Sequence, residues 1–177
     1  MSWSIRRLTR LDSRDLAGLC DLLIDCVDGG ASVSFMLPMT RAKAETFWMG
    51  VAAGLERGER ALVVAEDSAG IIGTAQAVWA SAENQPHRAD VAKMLVHRRA
   101  RRAGVGAAVL AAVERAAFDA GKTLLVLDTA SDDAERLYVR RGWQRCGRIP
   151  GYALMPDGAP CGTTIFFKLL DDRGCGS

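Results

Sequence analysis

Apolar positions along the chain change period several times, and each change marks an element. Leu16, Leu19, Leu22, Leu23, Cys26 and Val27 recur at helical spacing behind a short strand at residues 4–9. Ser13 stands as the cap of that helix and Gly29-Gly30 as its stop. The connection 31–39 is apolar for a loop, because it carries Phe35, Met36 and Leu37. Thr40 can cap a second helix with the stripe Ala44, Phe47, Trp48, Val51 and Leu55. Residues 61–66 and 71–79 flank the turn Asp67-Ser68-Ala69-Gly70 as an antiparallel hairpin. A fourth strand at 89–97 leads to a helix at 104–120, with Val105, Val109 and Val113 in register and Gly121 closing it. Residues 123–128 form a compact apolar strand. Asp132-x-x-Glu135 reads as a capping box opening a last helix that ends at Gly142. Strands at 143–148 and 163–169 follow, joined by a Gly/Pro-rich loop.

The order β-α-α-β-β-β-α-β-α-β-β fits one domain over residues 1–177. The strand-helix-strand unit at 89–128 implies a parallel pair with a right-handed crossover, whereas the hairpin implies antiparallel strands. The expectation is an α/β (α+β) fold: a mixed, largely antiparallel sheet of about seven strands flanked by about four helices.

Composition narrows the function. Hydrophobic residues make up 49% of the chain, enough for a core, and a net charge of +2 asks for no nucleic-acid partner. The five cysteines lack any C-x-x-C spacing, and with only His87 and His97 no metal site is expected. Free thiols suit a reducing compartment. Residues 1–10 lack the apolar run of a signal peptide, and no uncharged stretch reaches membrane-spanning length. A cytoplasmic protein with no membrane partner is expected.

The basic residues gather at Arg98-Arg99-Ala100-Arg101-Arg102, between a strand and the turn Gly104-Val105-Gly106 that opens a helix. Glycines let backbone approach a ligand closely, and a helix start presents unpaired N–H groups and a positive dipole end. Together they suit a pyrophosphate. The plainer alternative is an ordinary turn with solvated arginines. A Rossmann turn is a sharper rival, since Asp128 ends a strand about twenty residues on, but Val109 stands where a third Gly or Ala belongs.

Arg101-x-x-Gly104-x-Gly106 resembles the Q/R-x-x-G-x-G/A motif of the GNAT superfamily of N-acetyltransferases. Arg98 stands where a Pro is common there, and Arg102 where a first Gly is common. Ala134-Glu135-Arg136-Leu137-Tyr138-Val139-Arg140-Arg141-Gly142-Trp143 is similar to the A-x-x-L/F-Y-x-x-x-G-F/W motif of the same superfamily. The resemblance implies a GNAT fold and acetyl-CoA as cosubstrate. It implies that Met94, Leu95 and Val96 pair with pantetheine. It implies too that the backbone of Arg101, Arg102, Ala103, Gly104, Val105, Gly106 and Ala107 holds the pyrophosphate. Ser131 stands where many members use Asn to hold pantetheine. Tyr138 is then the acid that protonates the departing thiolate, a role that suits a phenol of pKa ~10. A homodimer is a form common in the superfamily. A non-catalytic acyl-CoA-binding domain on the same fold is the runner-up.

An attacking amine must also lose a proton, and Asp90 and Asp128, at the ends of apolar runs, are the candidate bases, directly or through water. Either could instead be an ordinary strand-end carboxylate. His97 lies beside the phosphate turn and is expected to be structural. Ser32, Ser34 and Phe35 are placed to line a substrate pocket, with simple core packing the alternative for Phe35 above all. Gly29–Val33, Arg88–Met94, Leu127–Thr129 and Pro150–Tyr152 resemble the tabtoxin-resistance branch of the superfamily, which acetylates a β-lactam amino acid toxin. Acidic residues that could attract a polycation are few. The implied acceptor is a small amino-acid-like amine, toxin or antibiotic, acetylated by direct transfer in a ternary complex.

Overall fold

Strand residues alternate between two faces and helices bury one stripe, so the chain sorts its apolar side chains into two layers around one sheet. The computed structural model describes residues 2–171; Cys175 lies outside them. In order the elements are β1 (Ser4–Leu8), α1 (Ser13–Asp28), α2 (Arg41–Glu56), β2 (Arg60–Asp67), β3 (Gly70–Trp79) and β4 (Arg88–Val96). A 3-10 turn at Arg98–Ala100 precedes α3 (Val105–Asp119), followed by β5 (Leu124–Thr129), α4 (Asp132–Arg140), β6 (Gln144–Leu154) and β7 (Pro160–Leu169). The seven strands form one sheet in the order β1-β2-β3-β4-β5-β7-β6.

β4 and β5 are parallel, with α3 as their crossover, and every other neighbouring pair is antiparallel. That mixture removes the Rossmann alternative, which needs a mainly parallel sheet. One face of the sheet carries α3 and α4 over a core of Ile72, Val91, Leu110, Leu127 and Phe166. The other carries α1 and α2 over Leu22, Leu23, Trp48, Leu62 and Leu95.

Two irregularities in the strands shape the site. The β4–β5 ladder spans only Arg88–Asp90 against Leu124–Val126, so beyond it the two strands part. In β4 itself, Ala92 faces Gln76 and Leu95 faces Thr74, which leaves one extra residue on the β4 side. Lys93 lies in that bulge at φ 50.

Several boundaries differ from the pattern reading. Asp12, not Ser13, caps α1, in a reciprocal box with Asp15. Ser131, not Asp132, caps α4 by accepting from Ala134 N–H, which frees Glu135 to accept from Thr164 Oγ1 at 2.5 Å. The expected Gly/Pro-rich loop is mostly strand: β6 reaches Leu154 and β7 begins at Pro160. β6 is an edge strand, and its register breaks between Ile149 and Ala153, where Pro150 needs no ladder donor.

Candidate active site

The phosphate-type turn is held from behind. Arg98 donates from its backbone N–H and its Nε to Asp25 at 2.9 Å, and Arg99 makes two bonds to Asp67. Those two arginines are therefore tethers. Arg101 and Arg102 are exposed and make no hydrogen bond or ion pair among the described residues, apart from the Arg101 N–H closing on Arg98 O at 3.4 Å. That bond takes Arg101 N–H out of the expected cradle, which begins at Arg102. Arg102 (φ 61) and Gly104 (φ 79) both adopt left-handed backbone. Arg102 does so where the superfamily pattern has a Gly, so the turn keeps its shape at the expense of some strain.

Side chains cap α1, α2 and α4, but none caps α3, whose N-cap is Gly104. Its first N–H groups therefore face outward beside two free guanidinium groups, a donor set that fits a pyrophosphate. Ala103 is exposed there, and Gly106 and Ala107 are half-buried, while Val105 turns into the core against Gly73. A Cβ on Gly106 would meet Leu137 Cδ2 at 3.4 Å and Met94 Cε at 3.5 Å.

Beyond the short ladder β4 and β5 stand parted, leaving a slot between them. Met94 and Val96 of β4 and Ala134 and Leu137 of α4 are partly buried on the α3/α4 face. Leu95 buries its side chain in the opposite core, so only its backbone can serve the slot. Ser131 Oγ is committed to capping α4. Its proton remains free to donate.

Tyr138 is 4% exposed and packs against Trp143 and Phe166, each with ring centroids 5.8 Å away. Its hydroxyl has no hydrogen-bond partner among the described residues and is not one of the buried polar atoms left unsatisfied, so the ring is buried while its oxygen reaches solvent. Burial, and after it the nearby Asp128 carboxylate, pushes its pKa well above the ordinary value. The phenol therefore holds its proton through the whole neutral range.

Behind the tyrosine lies a buried network that no sequence pattern flagged. Glu114 of α3 accepts from Trp143 Nε1 and from Lys168 Nζ of β7, both at 2.7 Å, and Lys168 also donates to Arg141 O at 2.9 Å. The α4–β6 connection and β7 both meet this one carboxylate of α3, and Trp143, which touches Tyr138, is thereby fixed. The one available hint is a Glu directly after Val113 on the apolar stripe of α3.

The other face gathers different chemistry. Ala89, Val91, Leu125 and Leu127 point to the α3/α4 core, so alternation sends Asp90 and Asp128 to the α1/α2 side. Asp90 sits at the closed end of the split and is engaged by Arg88 Nη1 at 2.9 Å. Asp128 stands two residues further out, exposed, accepting from Thr163 Oγ1 at 3.0 Å. The two candidate bases are thus unequal. Lys93, absent from the sequence candidates, donates to Ser34 Oγ at 3.0 Å and lies over Phe35 and Phe47, 5.7 and 5.4 Å from their centroids. Burial lowers its pKa, and Asp128 partly opposes that.

Of the predicted pocket residues, Ser34 (φ 73) and Phe35 line an open groove of about 610 Å³ with Met36, Lys43 and Phe47. Ser32 instead approaches Cys161 Sγ at 3.7 Å. His97 Nδ1 accepts from Arg99 N–H, a structural role as expected. A separate cavity of about 340 Å³ lies far off, by Arg6, Asp15 and Glu66, where Arg6 is already bonded to both carboxylates.

Comparison with known proteins follows the same lines. The acetyltransferase (GNAT) domain family matches residues 58–145. An uncharacterized N-acetyltransferase of the hisH–hisA intergenic region of Azospirillum brasilense is 32% identical over 148 residues, 82% of this chain and 83% of that protein. A GNAT superfamily phosphinothricin acetyltransferase from Sinorhizobium meliloti, solved in complex with acetyl-CoA, superposes with a TM-score of 0.79 at 19% identity, covering 97% of this chain and 90% of that one. The yncA structure from Salmonella typhimurium, with its cofactor acetyl-CoA, gives 0.77 at 19% identity, covering 97% and 96%. At these identities the two structures share the fold.

Proposed function

The chain belongs to the GNAT family and is an acetyl-CoA-dependent N-acetyltransferase, and from that premise we propose that it acetylates a small amino-acid-like amine by direct transfer in a ternary complex. The observation that carries this reading is the placing of Asp128. It is exposed on the α1/α2 side of the split, yet it acts electrostatically on both the Tyr138 phenol and the Lys93 ammonium. Asp128 is therefore near enough to act on both a proton donor and a cation.

Acetyl-CoA supplies the activated acetyl group when bound. The cradle at Arg102–Ala107, with Arg101 and Arg102, would hold its pyrophosphate, and the Met94–Val96 edge its pantetheine. Asp128 holds the acceptor's ammonium and takes its proton, directly or through water. The freed nitrogen forms its bond to the acetyl carbon, and it sheds its second proton to solvent as the carbon–sulfur bond breaks; Asp128 releases the first to solvent. Tyr138 Oη gives its proton to the departing sulfur and recovers one from solvent. The net change is one N-acetyl amine, one free thiol and one released proton. Asp90, held by Arg88, serves to orient the acceptor side more than to move protons. Cofactor groups lie on the α3/α4 face and acceptor groups on the other, so both substrates can be held at once.

Support for an amino-acid-like toxin or antibiotic comes from the resemblance of Gly29–Val33 and Arg88–Met94 to tabtoxin-resistance enzymes. A structural neighbour also named for phosphinothricin points the same way. We place the enzyme in the cytoplasm, which suits the free thiols of Cys20 and Cys26; no helix among the described residues is long and apolar enough to cross a membrane. Initial rates decide the kinetic claim. Double-reciprocal lines that intersect support a ternary complex, and parallel lines reject it. The thiol released across a panel of small amines, peptides and aminoglycosides decides the substrate class.

A further inference from the structure

We propose that Lys93 is the acceptor-specificity residue: with Ser34 Oγ it receives a carboxylate of the acceptor while Asp128 receives the amine, so the enzyme selects α-amino-acid zwitterions over plain amines. This rests on the reading of the protein as a small-amine acetyltransferase.

The β4 bulge is the first argument. Regular alternation would send Lys93 to the face opposite Ala92, into the α3/α4 core. The extra residue between Ala92 and Leu95 keeps it on the acceptor side instead, at φ 50, where an L side chain is disfavoured. Packing imposes that conformation, and its result is an ammonium aimed at the loop that carries Ser34 and Phe35. Bulges that re-aim one side chain are typical of sites.

The second argument is an incomplete set of partners. An ammonium has three donors, and Lys93 spends one, on Ser34 Oγ. No carboxylate lies within ion-pair distance of it among the described residues. Two aromatic faces compensate it in part. A half-buried cation with donors to spare, bonded to Ser34 and lying over Phe35 and Phe47 at the wall of an open groove, is a seat for an anion. Ser34 accepts from Lys93, so its own proton is free to donate to that anion. Asp128, exposed two residues beyond the closed end of the split and held by Thr163, supplies the opposing charge that Lys93 feels. A ligand with its ammonium at Asp128 and its carboxylate at Lys93 satisfies both, and its side chain falls along Phe35, Met36 and Phe47. The same cation repels a polycationic aminoglycoside.

The test uses the L-amino acids paired with their decarboxylated amines, with thiol release as the readout. For wild type, kcat/KM should favour the acid of a pair by ~10- to 100-fold, the worth of a charge-assisted contact. Lys93→Met should erase that preference chiefly through KM for the acid, with a much smaller change for the plain amine and the acetyl-CoA thermal shift kept. Lys93→Arg should restore part of it. Equal losses on both members of a pair, or a wild type that favours plain amines, would overturn the proposal while leaving the reading as a small-amine acetyltransferase standing. Turnover confined to peptides or aminoglycosides, or no turnover of any amine, would remove that reading and this one with it.

Discussion

The cofactor side and the acceptor side of the slot are built in opposite ways. On the proposed cofactor side the groups are mainly backbone: an uncapped helix, a left-handed turn and two free arginines, held from behind by Arg98–Asp25 and Arg99–Asp67. The tyrosine there is buried and braced by Trp143 and Phe166. On the proposed acceptor side the groups are side chains: Lys93, Ser34, Asp128 and Phe35 come from three separate segments, and Ser34 and Phe35 line an open groove. A backbone cradle suits a ligand that never changes. Side chains on a loop and a bulge allow the acceptor to change with a few substitutions, while the chemistry at Tyr138 stays the same.

The sharpest way to break this contrast is to damage the backbone cradle. Gly104→Glu sets a carboxylate where an anion must sit, at a position of φ 79 that already excludes most side chains. Calorimetry should show acetyl-CoA affinity reduced by roughly 10³-fold, two or more charge-assisted hydrogen bonds. Unchanged affinity in a folded protein would reject the cradle.

Next comes the brace. Glu114→Ala leaves Lys168 without its carboxylate and Trp143 Nε1 without its acceptor, both in buried surroundings. A loss of ~3 kcal/mol in denaturant unfolding is expected, because the residual charge stays buried. A stability equal to wild type would mean that the network is replaceable by water.

Tyr138→Phe keeps the packing and removes the proton. Turnover should fall by roughly 10²-fold with acetyl-CoA affinity unchanged. The raised pKa of Tyr138 has a matching consequence. The acid form is the protonated one, so raising the pKa extends activity upward in pH. Wild-type turnover should show no loss assignable to this phenol below about pH 10, its ordinary value. An alkaline limb at pH 8–9 that vanishes in Tyr138→Phe would contradict the burial argument.

The smallest effects compare the two aspartates. Asp128→Asn should lower kcat/KM by about tenfold or more, whereas Asp90→Asn should change it by only a few-fold, since Arg88 already occupies that carboxylate. Reversed magnitudes in steady-state rates would make Asp90 the base.

Much of the cofactor side was readable in the chain. Gly104-x-Gly106 after an apolar strand, and Tyr138 one residue after Leu137, are local patterns, and local backbone geometry is what they specify. Caps were misplaced by one residue at Asp12 and Ser131, because neighbouring Ser and Asp compete for the same role. The extension of β6 through Pro150 was hidden, since an edge strand tolerates a proline that a central one would not. Glu114 and Lys168 are 54 positions apart, and nothing local announces their pairing.

By itself, then, the sequence determined the order of elements, the parallel β4–β5 unit with its crossover helix, and the glycine-opened start of α3, all of which follow from periodicity and from glycines within a few residues. Only the tertiary structure decided where Lys93 points, that Asp128 rather than Asp90 stands open at the split, and that the Tyr138 hydroxyl is left without a partner. The physical reason is register. A one-residue bulge against β3 reverses the face on which a side chain emerges, and that offset is set by pairing between strands, not by the residues of β4 alone.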